Sequence, residues 1–161
     1  MKLKLLTDPD PRLRKICAPI STFDDKVIEL AESMKEYVIR AQGKRSHPNL
    51  VPVGVAAPQF GHLVQLFVIW TPEFEVTMVN PEIVKTVGSR RLLESCLSIP
   101  GRYFITNRPK IVKVRGLSIK GEAHSVKVHD FLAQAMMHEF EHLGGIMVDN
   151  VAITEVPKDL V

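Results

Sequence analysis

A chain of 161 residues, 45% hydrophobic and 24% charged, has the size and balance of one globular domain that buries roughly two thirds of its unfolded surface, which excludes a disordered chain or one that needs disulfide staples. Its formal net charge of +3 is mild, and Lys and Arg are spread along the chain rather than clustered with aromatics, so no specific nucleic-acid binding is expected. No apolar run reaches the length of a membrane span or a signal-peptide core, and the two cysteines, Cys17 and Cys96, do not make a secreted framework, so a cytoplasmic, single-domain protein over 1–161 with no membrane contact is expected.

The first element the pattern predicts is a helix between 24 and 43. Val27, Ile28, Leu30, Ala31, Met34, Val38 and Ala41 recur there at helical spacing, with Asp24 placed to cap the start and Gly43 to stop the end. The basic stretch 44–52, with Ser46, Pro48, Asn49 and Pro52, reads as an exposed loop. From 64 onward short runs rich in β-branched residues predict strands at 64–70, 73–79, 82–87, 110–114 and 125–128. Breakers fall at Thr71-Pro72, Asn80-Pro81, Gly88-Ser89, Pro100-Gly101 and Lys120-Gly121. A second helix is predicted over 130–143, ended by Gly144-Gly145, which suit a left-handed cap. This order predicts an α+β fold, with antiparallel β-sheets surrounding a C-terminal metal-binding helix and an N-terminal helix packed on the core.

The chemistry concentrates in that second helix. His138-Glu139-Phe140-Glu141-His142 places two imidazoles one turn apart on one face, able to reach a single metal ion, with Glu139 beside them as a proton acceptor. The flanking Leu132, Ala135, Met136, Phe140 and Leu143 are apolar, so the helix is expected to be buried, where two His and a Glu without partners would be costly. A catalytic site of this kind needs a third protein ligand and an open position for water. The metzincin continuation fails, because Val148 stands where its third His belongs. Glu155 is the single glutamate after His142, so the third ligand is sought upstream. Cys96 is the best candidate, a thiolate suited to zinc or ferrous iron in the polar setting of Glu94, Ser95 and Ser98. Cys17 has no such neighbours and reads as a small buried residue.

Three segments in order, Gly54-Val55-Ala56-Ala57-Pro58-Gln59, Glu94-Ser95-Cys96-Leu97-Ser98 and His138-Glu139-Phe140-Glu141-His142, resemble the three motifs of the peptide deformylases. Asp8-Pro9-Asp10-Pro11-Arg12-Leu13-Arg14 and Val79-Asn80-Pro81-Glu82-Ile83 extend the similarity over nearly the whole chain. The resemblance implies one divalent metal held by Cys96, His138 and His142, with ferrous iron usual and zinc, nickel or cobalt able to substitute. The implied reaction removes the N-formyl group from the initiator formyl-methionine of newly synthesised polypeptides and releases formate. Glu139 is then the general base, and the Gln59 amide and the Leu97 backbone N–H are the donors to the oxyanion. Val53 and Gly54 would face the substrate backbone, and Leu92, Phe131, Gln134, Ala135 and His138 would line the methionine pocket, Gln134 being an unusually polar member. Arg108 is expected to pair with Glu94 or Glu141 and so hold the metal helix.

Three positions depart from the commonest family form. Pro52 replaces a glycine, with a fixed φ and no N–H at the edge that would pair with substrate. Ser95 replaces the glycine before Cys96, and Glu141 replaces an aspartate in the helix motif. None removes a ligand, the base or the oxyanion glutamine. Two other readings stay open on the residues: another HExxH metal-dependent amidohydrolase or peptidase, and a catalytically impaired deformylase-like binding protein. Transient ribosome contact belongs to the family resemblance, but 148–161, with Pro157, leave little room for the long C-terminal helix that many bacterial members carry.

Overall fold

The computed structural model describes residues 1–43 and 50–161. Helix α1 (Asp25–Gln42) begins where Asp24 accepts hydrogen bonds from the Lys26 and Val27 N–H groups, and Gly43 closes it. Of the loop expected over 44–52, residues 44–49 lie outside the described residues, and 50–52 have no regular structure.

The strands form two antiparallel sheets among the described residues. The larger runs β1-β2-β3-β6-β7, with β1 Gly54–Ala56, β2 Leu66–Thr71, β3 Phe74–Val87, β6 Ile111–Leu117 and β7 Ala123–His129. The smaller runs β4-β5-β8, with β4 Arg90–Cys96, β5 Ile99–Arg108 and β8 Ala152–Val156. Helix α2 (Asp130–Leu143) carries the metal-motif residues, and the short α3 (Val148–Val151) leads into β8. The region after α2 thus continues as a short helix and a sheet strand.

Strand β2 explains how the two helices meet one sheet. Side chains alternate between faces, so Leu66 and Val68 pack with Leu30, Ala31, Met34 and Val38 of α1. Phe67 and Ile69 pack with Ala133, Ala135, Met136 and Leu143 of α2. A strand covered on both sides is apolar throughout rather than alternating. The predicted arrangement of a C-terminal helix surrounded by antiparallel sheets, with α1 on the core, is the one observed.

Three differences from the sequence reading have local causes. Asn80-Pro81 does not break the chain but lies inside β3, where the register shifts. Asn80 takes φ +48 and its side-chain amide bridges the N–H and C=O of Ile20, a local hydrogen-bonding use that suits Asn to the left-handed region. Pro100-Gly101 likewise lies inside β5, with φ +75 at Gly101. At the end of α2 the expected left-handed cap falls on Gly145, at φ +71, where a Cβ would meet the Arg14 carbonyl at 2.6 Å. The sequence pattern predicts none of β4, β5 and β8, because Arg90-Arg91-Leu92-Leu93-Glu94-Ser95 and the short run at β8 lack sustained alternation and Pro100-Gly101 interrupts β5.

Candidate active site

The antiparallel pairing of β4 with β5 places Cys96 opposite Ile99 across the turn made by Leu97 and Ser98. That turn faces α2, and one ligand atom from each of Cys96, His138 and His142 lies within 4.8 Å of the others. All three residues are buried. The Cys96 Sγ stands 3.5 Å from His142 Nε2. His138 gives its Nδ1 to the Glu94 carboxylate, which leaves Nε2 for the common point. One sulfur and two imidazoles converging, with no fourth His, Cys, Asp or Glu grouped with them among the described residues, match the donor set of an open catalytic metal site.

The protonation pattern fits as well. Burial, together with the neighbouring His138 charge, pulls the His142 pKa well below its ordinary value, so its imidazole is neutral. Burial also disfavours charge on His138, but Cys96 and Glu94 outweigh it and raise its pKa. Without a metal, His138 holds a proton that an ion must displace. Glu139 is raised to about 7, first by burial, and its Oε2 is buried with no partner. A carboxylate in this state is poised to take up a proton near neutrality.

Gln59 is fixed from both ends. Its Oε1 accepts from the Ala56 N–H at 2.9 Å, which turns Nε2 toward Ser98 Oγ at 3.1 Å and Cys96 Sγ at 3.7 Å. The N-terminal segment holds this arrangement, since the Leu6 N–H donates to Gln59 O and the Asp8 N–H to Ser98 O. Sequence reasoning had given that segment no structural task, and main-chain bonds of this kind leave no trace in side-chain pattern.

Behind the ligands lies a buried charge cluster. Arg108, 2% exposed, donates through Nη2 to Glu94 Oε1 at 2.7 Å and through Nε to Oε2 at 2.9 Å. Its Nη1 donates to Glu141 at 2.6 Å. The expected partners Glu94 and Glu141 are therefore both engaged, and the longer Glu141 side chain still reaches. Burial would raise the Glu94 carboxyl, but His138 and Arg108 hold it well below the usual carboxylate range. Thr106, which no sequence pattern singles out, also donates to Glu94 Oε2 at 2.8 Å.

In front of the ligands opens a cavity of about 450 Å³, lined among others by Val53, Gly54, Gln59, Leu97, Gln134 and Glu139. That volume lies within the usual range for small-molecule sites. Phe131 and Ala135 also line it, but Phe131 is 46% exposed and stands at its rim. Leu92, expected in the wall, is not among the lining residues. Its neighbour Leu93 is, together with the consecutive residues Glu94, Ser95 and Cys96. Tyr103 and Lys158 also line the cavity and had not been anticipated. At Gly54 a Cβ would come within 2.6 Å of Glu139 Oε1, so this glycine makes room for the Glu139 carboxylate as well as for any substrate. Ser95 strains nothing, since Asn80 and Asp130 are the non-glycine residues with positive φ among those described. Cys17 lies in the core away from this cluster, its thiol pushed up to about 11 by burial.

Comparison with known proteins gives one consistent result. The polypeptide deformylase family model matches residues 2–155. A peptide deformylase of Alkaliphilus metalliredigens is 39% identical over 156 residues, covering 96% of this chain and all of that protein. One from Clostridium botulinum is 36% identical over 138 residues, covering 86% and 88%. Among solved structures, a peptide deformylase from Legionella pneumophila superposes with a TM-score of 0.84 at 34% identity, over 95% of this chain and 88% of that one. One from Thermotoga maritima gives 0.86 at 28% identity, over 96% and 99%.

Proposed function

The chain belongs to the polypeptide deformylase family and is a metal-dependent hydrolase that removes the formyl group from nascent polypeptides, and we propose that Cys96, His138 and His142 hold its metal while Glu139 handles the proton. The observation that carries this assignment is the convergence of one sulfur and two imidazole nitrogens within 4.8 Å, next to a buried carboxylate oxygen with no partner. The other HExxH reading treats Cys96 and Gln59 as incidental, which their mutual contact disfavours.

A bound divalent ion would supply an acidified water and polarise the formyl carbonyl. Glu139 accepts the proton of the attacking water and passes it to the departing amine. The Gln59 Nε2, held in place by Ala56, and the Leu97 N–H donate to the carbonyl oxygen as it becomes anionic. Glu94 orients His138 through Nδ1, and Arg108 anchors Glu94. Val53 and Gly54 flank the substrate backbone, with Phe131, Gln134 and Ala135 around the first side chain.

Ferrous iron is our reading for the metal, with zinc, nickel and cobalt as substitutes, because a mixed sulfur and imidazole site accepts several ions and supply decides. We place the protein in the cytoplasm as one domain over 1–161, in transient contact with ribosomes, where its nascent substrates emerge. No described helix is long and apolar enough to cross a membrane. The test is formate release from formyl-Met peptides by anaerobically prepared, iron-loaded protein, with Glu139→Ala alongside. Release by the wild type and a loss of about 10²–10⁴-fold in the variant are expected. No release by metal-loaded wild type with several peptides would instead favour a deformylase-like binding protein.

A further inference from the structure

Gln134 occupies two environments at once. It lines the cavity beside Phe131 and Ala135, where an apolar residue would serve a pocket for a hydrophobic side chain. Yet it is only 8% exposed, and its amide nitrogen is directed away from the substrate. Gln134 Nε2 donates to the Leu93 carbonyl oxygen at 3.0 Å and to Glu94 Oε2 at 3.3 Å. Glu94 is the carboxylate whose other oxygen accepts from His138 Nδ1.

We propose that Gln134 is a positioning residue for the metal centre, acting through Glu94, and that it couples the wall of the substrate pocket to the orientation of His138. Three groups converge on Glu94 Oε2: Thr106 Oγ1 from β5 at 2.8 Å, Arg108 Nε at 2.9 Å and Gln134 Nε2 from α2. Thr106 and Arg108 share one strand, whereas Gln134 sits on α2, one turn before His138. Gln134 therefore adds, one turn before His138, a second direct tie between this helix and Glu94 of β4, which His138 itself contacts. Its bond to the Leu93 carbonyl fixes the same helix turn against the same strand. Because Nε2 is spent on these two acceptors, the carbonyl is the part of the amide left for the cavity. A pocket wall built this way keeps its shape only while Glu94 and β4 hold the amide. Glu94 is buried, so each donor it loses goes unreplaced by water and loosens the carboxylate that orients the ligand.

This inference rests on the reading of Cys96, His138 and His142 as metal ligands, and the experiment separates the two. The full chain is loaded with cobalt as wild type, Gln134→Leu and Gln134→Met, the second variant guarding against a packing failure of the branched one. Three quantities are read: the cobalt absorption spectrum, the rate of cobalt release to a chelator, and kcat and KM separately for formyl-Met and formyl-Leu peptides. Cobalt release about tenfold faster, an altered spectrum and a fall in kcat with the KM ratio of the two peptides unchanged are the results expected of a positioning residue. Release and spectrum equal to wild type, with only the KM ratio moved, would overturn the proposal and leave Gln134 as a pocket wall. Failure of the wild type itself to bind cobalt would overturn the metal-centre reading, and the inference with it.

Discussion

Behind the metal ligands, Glu94 and Arg108 are at most 4% exposed, every oxygen of Glu94 is engaged, and one arginine links two strands' worth of charge to α2. In front of them, the groove is walled by Phe131 at 46% exposure and by Pro52, Val53 and Gly54, where the chain enters β1. The rear is over-determined, because a buried ion cluster is tolerable only when each member is paired. The front is open, because a chain end must enter it. Substitutions at the rear are therefore expected to act on folding and metal retention, and those at the front on turnover and KM.

The largest effect should come from breaking the rear cluster. Arg108→Leu leaves Glu141 without its cation and Glu94 with His138 alone, and a loss of about 3–5 kcal/mol in unfolding free energy is expected, measured by denaturant titration of the metal-free protein. A change under about 1 kcal/mol would show that the cluster does not hold the structure. Next comes Gly54→Ala, which puts a methyl group 2.6 Å from Glu139 Oε1. Displacing the base should reduce kcat about 10²-fold while bound metal, measured by elemental analysis, stays at wild-type level. Loss of metal along with activity would mean that the front and rear are not separable at this point.

The pH profile sharpens the same contrast. Glu139 must be a carboxylate to accept a proton, and burial raises its pKa, so kcat/KM should fall about tenfold per pH unit on the acid side of its titration. His138 acts in the same direction on a different observable. Its raised pKa means that a proton competes with the ion, so metal affinity should weaken as pH falls. A rate profile flat between about pH 5 and about pH 8 would contradict Glu139 as the base. The smallest effect is expected for Phe131→Ala at the rim, within about 0.5 kcal/mol in stability, with a rise in KM and no change in kcat.

How much of this was legible in the sequence follows from how local each feature is. His138, Glu139 and His142 lie on one helix turn, where spacing alone puts them on one face. Cys96 followed from the chemistry of a missing ligand, although its approach to His142 depends on the β4 to β5 turn. The antiparallel α+β arrangement was readable because β2, β3, β6 and β7 carry β-branched runs. Strands β4 and β5 were hidden by buried polar residues and by Pro100-Gly101, and β8 by its shortness. The bonds of Thr106 and Gln134 to Glu94, and of Leu6 and Asp8 to the Gln59 and Ser98 turns, join residues far apart in sequence, and no periodicity encodes them.

The central claim is that Cys96 completes the metal site made by the two histidines. Cobalt titration of the full chain and of Cys96→Ala, followed by absorption spectroscopy, tests it most directly. One equivalent bound by the wild type with a thiolate-to-cobalt charge-transfer band, and both the band and tight binding lost in Cys96→Ala, is the predicted result. Equal affinity and an unchanged spectrum in Cys96→Ala would contradict it.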